Sequence, residues 1–221
     1  MPIIYLSPST QENNLYVNGG TEEEWMNRLA DAMEPYLTAA GIRFSRNTPD
    51  MTALSSIRAS NAGNYDLHLA LHSNAAPEEQ YGQARGILVY YYPGSVEGTR
   101  AAQRIANGLK TIYPLPNKVR AESTTAIGEV RRVRAPSVFL ELGYHDNPDD
   151  AVWIQTNLDA IAHNLVLSLT EYFGLPFLEP QSPRPAMVDV SWGYLNIRDK
   201  PSTTAAVLAK AYDGTRLTVL N

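Results

Sequence analysis

The 221-residue chain contains no cysteine. Disulfide bonds and thiolate metal sites are therefore excluded, and any bound metal ion must be held by histidine, carboxylate or amide groups. Histidine is also scarce, with only four in the whole chain. The choice of imidazole ligands is limited to His68, His72, His145 and His163.

Long hydrophobic runs and an excess of basic charge are missing as well. The N-terminal stretch "MPIIYLSP" has no basic region before its short apolar run, so it predicts a first strand rather than a secretory signal or membrane helix. The net charge of -5 argues against nucleic-acid binding. We interpret the densest basic run, "EVRRVRAP", as a solvated edge before a buried strand. Neither nucleic acid nor membrane is expected as a partner.

Segments with strand and helix patterns alternate through most of the chain. Thr21 and Glu24 have the spacing of a capping box, which predicts the start of an amphipathic helix that ends at Gly41. Strand patterns follow in "IRFSR", "GILVYYYPG" and "APSVFLELGYHDN", with helical patterns between them and one final helical stretch after residue 149. This alternation predicts an α/β fold with a mostly parallel sheet flanked by helices.

The composition changes after residue 174. Residues 175–187 include the proline-rich "LPFLEPQSPRPA", which predicts an extended linker. Residues 188–221 show short alternating segments with turn signals at "DKPS" and "YDGT", which predict a small all-β unit. The expected organisation is therefore a larger catalytic domain at 1–174, a linker at 175–187 and a small β domain at 188–221.

Two histidines stand four residues apart in "NYDLHLALHSNAAP". On a β-strand they point to the same face at a separation of roughly 13 Å, so one metal ion cannot bind both. His72 lies at the strand end, where open α/β sheets place functional groups, and is interpreted as functional. His68 lies inside the strand and is interpreted as a packed or hydrogen-bonded structural histidine.

Three candidate groups converge on the same edge of the predicted sheet. Glu23 lies in the first turn of the first helix, His72 ends one strand, and Glu141 lies in the apolar strand "SVFLELGY". A histidine and a carboxylate can begin a zinc site, and a second carboxylate can serve as a general base. An unpaired carboxylate is costly to bury, so Glu141 requires a partner or a function.

At these positions the sequence resembles the zinc-dependent N-acetylmuramoyl-L-alanine amidases of the amidase-3 family, over roughly residues 2–174. The matching residues are Glu23, Asn27, Arg58, Asn61, Asp66, His72, Asn74, Gly86, Glu141, Gly143, Tyr144 and Asn147. The resemblance implies hydrolysis of the amide between N-acetylmuramic acid and L-alanine in bacterial peptidoglycan. It implies zinc ligands at Glu23 and His72 and a catalytic carboxylate at Glu141. Asn74 is a candidate substrate-binding residue.

One family ligand is absent. The family's first zinc-binding histidine follows the first strand, where this chain reads "LSPSTQENN", so the third ligand is open among Thr10, Gln11, Glu12 and His145. Gln11 is the ligand named here, because its side-chain oxygen can bind a metal. An alternative interpretation is a catalytically inactive, peptidoglycan-binding or regulatory pseudo-amidase.

The C-terminal segment resembles part of a bacterial SH3 domain. The matching residues are Leu195, Asn196, Arg198, Pro201, Ser202, Gly214 and Thr215. The resemblance implies tethering to the cell wall. We expect action at the cell wall or outside the cell; the absence of a signal peptide in this chain also fits a phage lysin or a mother-cell protein.

Overall fold

The computed structural model describes residues 1–181, 184–200 and 202–219. The chain divides into two compact units, Met1–Glu179 and Pro180–Asn221. No helix among the described residues is long and apolar enough to cross a membrane.

The first unit is built on one six-stranded sheet. Its strands are β1 (Ile3–Pro8), β2 (Arg43–Arg46), β3 (Leu67–Asn74), β4 (Ile87–Tyr91), β5 (Val119–Ser123) and β6 (Ser137–Tyr144). The spatial order is β2-β1-β3-β6-β4-β5. Neighbouring strands run parallel except for the antiparallel pair of β4 and β6. The predicted α/β fold with a mostly parallel sheet is confirmed.

Helices flank this sheet. They are α1 (Glu22–Ala39), α2 (Ala53–Ala62), α3 (Val96–Leu109), α4 (Gly128–Arg131), α5 (Pro148–Thr156) and α6 (Leu158–Phe173). Helix α6 packs against both α1 and α3. The predicted final helical stretch is two helices that meet at Asn157, and β5 and α4 were not predicted.

Local sequence signals explain the ends of α1. The Thr21 hydroxyl accepts a hydrogen bond from the Glu24 backbone N–H at 3.1 Å, which confirms the predicted N-cap. After the last helical residue, Gly41 has a φ of +71°, a left-handed conformation that glycine adopts without a steric penalty. The N-cap fixes the acidic first turn of α1 at the strand-end edge of the sheet.

Strand β3 lies in the middle of the sheet and is buried at every position except its last. Its leucines belong to the main hydrophobic core, which lies between the sheet and helices such as α1 and α6. Because both faces of β3 are covered, the polar residues of its alternating pattern are buried too and need partners. The two histidines of this strand therefore have to be hydrogen-bonded.

The second unit contains two antiparallel pairs of strands. Strand β7 (Arg184–Met187) pairs with β10 (Arg216–Val219), and β8 (Leu195–Arg198) pairs with β9 (Val207–Ala211). The last four residues of the predicted linker thus form a strand. Pro201, which contributes to the SH3 resemblance, lies outside the described residues.

Candidate active site

The carboxyl ends of β1 and β3 and the start of α1 meet at one edge of the sheet. The Ser9 N–H donates to the Leu71 carbonyl at 2.9 Å, which holds the loop after β1 beside the end of β3. On the other side of β3, His72 is the register partner of Glu141 on β6. This edge therefore brings together His72, Glu141 and the first turn of α1.

Glu22 is the first-turn carboxylate that contacts His72. Its Oε1 lies 2.7 Å from His72 Nδ1 and also accepts from the Ser73 N–H at 3.3 Å. Its Oε2 accepts from Asn14 Nδ2 at 2.6 Å, and the residue is only 1% exposed. Burial acts to raise the pKa of Glu22, but the hydrogen bonds from His72 and Asn14 and the positive charge of His72 outweigh it and lower the pKa.

Glu23, the metal ligand that the sequence predicted, takes a different position. Its Oε1 accepts from Asn27 Nδ2 at 3.2 Å, and Asn27 Oδ1 in turn accepts from Arg46 at 2.8 Å. The structure thus brings Glu22, rather than Glu23, to His72. The physical reason is helix geometry, because successive residues point about 100° apart around α1.

Of the four candidates for the third ligand, Gln11 lies at the histidine. Its side-chain nitrogen is 3.4 Å from His72 Nδ1, and its oxygen accepts from Asn14 Nδ2 at 3.1 Å. His145 is buried and its Nδ1 lies 3.0 Å from the Ser73 carbonyl oxygen. Thr10 is half-buried and Glu12 is exposed, and no hydrogen bond joins either side chain to His72 within the described residues.

Glu141 also lies beside His72, but its carboxylate lacks the hydrogen bonds that the Glu22 carboxylate accepts. Its Oε2 is buried and has no hydrogen-bond partner in the described part of the chain. Burial is the main cause that raises the pKa of Glu141 to about 7; the positive charge of His72 opposes this rise and the negative charge of Glu22 adds to it. A carboxyl group with such a pKa can both accept and donate a proton near neutral pH.

The structure adds a residue that sequence analysis missed, Glu129 on α4. It is only 4% exposed, and its Oε2 lies 3.4 Å from His72 Nε2. The interpretation of "EVRRVRAP" as a solvated edge is therefore wrong at Glu129, because α4 packs against β6 and turns this side chain inward. The one available signal was the position of Glu129 directly before the apolar Val130, which is also buried.

His72 lies between two carboxylates, Glu22 at Nδ1 and Glu129 at Nε2. Burial alone would lower the pKa of His72, but both carboxylates outweigh it and raise the pKa. The ring also stacks on Phe139, with ring centroids 4.2 Å apart. The orientation of the imidazole is therefore fixed from three directions.

His68 occupies the structural role expected for it. The ring is fully buried, its Nδ1 lies 3.0 Å from Ser60 Oγ, and its Nε2 lies 3.2 Å from Glu129 Oε1. Asn74 ends β3, and its Oδ1 accepts from the Ala75 N–H at 2.9 Å. That contact leaves the amide NH₂ as the group that Asn74 can present outward.

The donors around His72 were tested for their fit to a metal ion. Among residues 1–181, 184–200 and 202–219, no group of three or more His, Cys, Asp or Glu side chains is arranged to hold one. Gln11 is the neighbouring amide, but its nitrogen faces His72 and its oxygen accepts from Asn14. Within the described residues, the side chains at His72 as placed therefore supply an imidazole nitrogen and carboxylate oxygens but not the third protein ligand of a typical catalytic zinc site.

A comparison with protein-family models matches residues 9–171 to the amidase-3 model, described as N-acetylmuramoyl-L-alanine amidase. The match covers Glu22, His72, Glu129 and Glu141. No curated protein matches the sequence significantly.

Solved structures share this fold. AmiC2, an N-acetylmuramoyl-L-alanine amidase of Nostoc punctiforme, is 14% identical with a TM-score of 0.67, covering 78% of this chain and 97% of its own. The amidase Ami1 of Mycobacterium smegmatis is 16% identical with a TM-score of 0.66, at 78% and 97% coverage. The catalytic domain of the CD27L endolysin, which targets Clostridia difficile, is 19% identical with a TM-score of 0.64, at 77% and 98% coverage.

Proposed function

The chain belongs to the amidase-3 family, and on that premise we propose that it is a metal-dependent N-acetylmuramoyl-L-alanine amidase. The bond hydrolysed is the amide between the lactyl group of N-acetylmuramic acid and L-alanine in bacterial peptidoglycan. The observation that carries the proposal is the meeting of Glu22, His72 and Glu141 at one strand-end edge inside the matched region.

Glu22, His72 and Gln11 are the residues that would hold the cation, and zinc is the ion we propose. Bound there, such an ion would supply a Lewis acid that could polarise the amide carbonyl and lower the pKa of a water molecule. Glu22 takes the place predicted for Glu23, because Glu22 is the acid in contact with His72. Gln11 is the proposed third ligand where the family has a histidine; its side chain would have to turn, because its nitrogen faces His72 and its oxygen accepts from Asn14.

Glu141 is the proposed catalytic carboxylate. It accepts a proton from the attacking water and transfers it to the amine nitrogen as the C–N bond breaks, so the carboxylate is regenerated. An amine is a poor leaving group, and the reaction therefore needs both halves of this role. The buried Glu141 Oε2 without a hydrogen-bond partner supports the assignment, since such an atom is available to a substrate or water.

Asn74 is proposed to bind substrate through its amide NH₂ at the mouth of the site, because its Oδ1 already accepts from Ala75. Peptidoglycan is the proposed partner, and the cell wall or the exterior of the cell is the proposed place of action. The second unit, whose sequence resembles part of a bacterial SH3 domain, would add affinity for the same polymer.

A second candidate function is a pseudo-amidase that binds peptidoglycan without cleaving it. One observation favours it: within the described residues, no histidine or acidic side chain joins His72 and Glu22 as the third member of a metal-binding group. An amide ligand binds zinc less strongly than an imidazole, so loss of the metal would leave the cleft intact but inactive.

The test measures release of new L-alanine amino termini from purified peptidoglycan. Metal-free protein, zinc-loaded protein, and zinc-loaded Glu141→Gln are compared, with Glu122→Gln as the matched control because Glu122 is a half-exposed strand carboxylate paired with Arg120. We expect release only with zinc, loss in Glu141→Gln, and full activity in Glu122→Gln. A folded wild-type protein that releases nothing with any divalent ion would contradict enzymatic activity and favour the pseudo-amidase.

A further inference from the structure

The loop between β3 and β4 crosses the edge of the sheet that carries the candidate active site. Strands β3 and β4 lie on either side of β6, so residues 75–86 connect them across the end of β6. The loop leaves β3 directly after Asn74, and it enters β4 just before Leu88, the register partner of Glu141. Both ends of the loop therefore lie beside residues to which we assign a role in the reaction.

Asp146, two residues after the end of β6, clamps this β3–β4 loop at two points. Its Oδ1 accepts from the Ala76 N–H at 3.1 Å, and its Oδ2 accepts from the Gly82 N–H at 2.7 Å. The residue is only 1% exposed. Asn147 adds a third bond, since its Nδ2 donates to the Gly82 carbonyl at 2.7 Å. One buried carboxylate thus joins the two halves of the loop through charge-assisted hydrogen bonds.

The segment between the two clamped residues faces solvent. Residues 77–81 are all exposed, and they include an aromatic side chain, Tyr81, that is 59% exposed. The backbone of this segment is also bonded internally, because the Gln80 N–H donates to the Pro77 carbonyl at 2.8 Å. Compact loops whose ends are held close together frequently carry binding residues, and an exposed tyrosine offers a large contact area with a polar tip.

We propose that Asp146 is a positioning residue that holds the β3–β4 loop in the shape that binds an N-acetylmuramoyl peptide, with residues 77–81 as the contacting surface. The inference rests on the proposed peptidoglycan substrate and concerns its binding rather than the cleavage of its amide bond. Asp146 acts through the loop and does not touch the substrate. Because the clamp orders the loop in the free protein, binding does not require that ordering to take place.

The test uses a soluble N-acetylmuramoyl-L-alanyl peptide and compares wild type, Asp146→Asn and Asp66→Asn. Its affinity is measured by calorimetry with a chelator present, and KM and kcat are measured with zinc. In Asp146→Asn the side-chain oxygen can accept from one N–H, but an NH₂ group faces the other, so the clamp opens on one side. Asp66→Asn is the matched control, because Asp66 also accepts from a backbone N–H, that of Ile3 at 2.8 Å, at the opposite end of β3.

We expect Asp146→Asn to raise Kd and KM by about 10-fold and to change kcat by less than about twofold, since it removes ordering of the loop and no group that reacts. Asp66→Asn should leave Kd, KM and kcat unchanged. Equal affinity in wild type and folded Asp146→Asn would overturn this inference but not the proposed function. A fall in kcat at unchanged KM would also overturn it, because Asp146 would then act in the chemical step.

The two proposals can fail separately. If wild type binds the peptide without cleaving it, the proposed function fails, and a weaker affinity in Asp146→Asn still supports the inference. A wild-type protein that does not bind the peptide would overturn both.

Amide hydrogen exchange in wild type needs no variant. In the free protein the N–H groups of Ala76 and Gly82 should exchange slowly, although the segment between them is exposed. Exchange at residues 78–81 should become slower when the peptide binds. Fast exchange at Gly82, or unchanged exchange at 78–81 with the peptide bound, would contradict the inference even if Asp146→Asn failed to fold.

Discussion

Two glutamates beside His72, Glu22 and Glu141, have contrasting surroundings. Glu22, in the first turn of α1, receives hydrogen bonds from Asn14 and Ser73 as well as contacting His72, and its pKa is lowered. Glu141, in the apolar strand β6, has a buried oxygen without a partner, and burial raises its pKa to about 7. One residue type is thus prepared for two tasks, because the surroundings favour an ionised ligand in one place and a proton carrier in the other.

Removing either carboxylate should have the largest effect on activity. We expect Glu22→Gln and Glu141→Gln each to lower kcat/KM for peptidoglycan by at least about 100-fold, the first through loss of a ligand and the second through loss of proton transfer. Amino-group release at saturating zinc measures both. If either variant kept more than a tenth of wild-type activity, the role assigned to that carboxylate would have to be abandoned.

The pH dependence of stability should separate the two carboxylates in metal-free protein. The pKa of Glu141 is raised from 4.5 in the unfolded chain to about 7 in the folded protein. The folded state therefore binds the proton more tightly, and its stability falls as pH rises from about 4.5 to about 7. We expect Glu141→Gln to abolish this pH-dependent loss of folding stability. The variant should be more stable than wild type at pH 8 by about 2 kcal/mol.

Urea unfolding with a chelator present, at pH 4.5 and pH 8, measures this difference. Glu22→Gln is the comparison, because the pKa of Glu22 is lowered and its ionised form stabilises the fold. The assignment of Glu141 would be contradicted if Glu141→Gln were less stable than wild type at pH 8.

The helix cap that positions Glu22 should have an intermediate effect. Thr21→Ala removes the hydroxyl that accepts from the Glu24 N–H, which costs about 1 kcal/mol of folding stability. Because Glu22 is the next residue, fraying of the first turn should also weaken zinc binding a few-fold. Thr21→Ser, which keeps the hydroxyl, should restore both properties; a failure to restore them would show that the methyl group, not the cap, is responsible.

The smallest effect is expected at Glu23. In Glu23→Gln the amide oxygen can still accept from Asn27, so stability should change by less than about 0.5 kcal/mol and amidase activity should stay near wild type. Parallel assays of Glu23→Gln and Glu22→Gln compare neighbours in one helical turn. A large activity loss in Glu23→Gln with a small loss in Glu22→Gln would show that Glu23, the ligand predicted from the sequence, binds the metal ion and that Glu22 does not.

Much of this arrangement could be predicted from the sequence, because strand ends and helix caps leave clear local patterns. His72 and Glu141 could be singled out from strands in which a polar residue interrupts an apolar pattern. Which acid of "TEEE" faces His72 could not be predicted, because all three acids occupy the same helical turn and only tertiary packing selects one. Glu129 was missed because a four-residue helix shows no periodicity and its neighbours Arg131 and Arg132 are exposed.

Zinc titration by calorimetry of wild type, Glu22→Gln and Glu141→Gln tests most directly whether one carboxylate binds the metal while the other reacts. The account predicts that wild type and Glu141→Gln bind one zinc ion with similar affinity, and that Glu22→Gln binds it at least about 100-fold more weakly, since a neutral amide replaces the ionised ligand. Undiminished binding by Glu22→Gln, or loss of binding in Glu141→Gln alone, would contradict it.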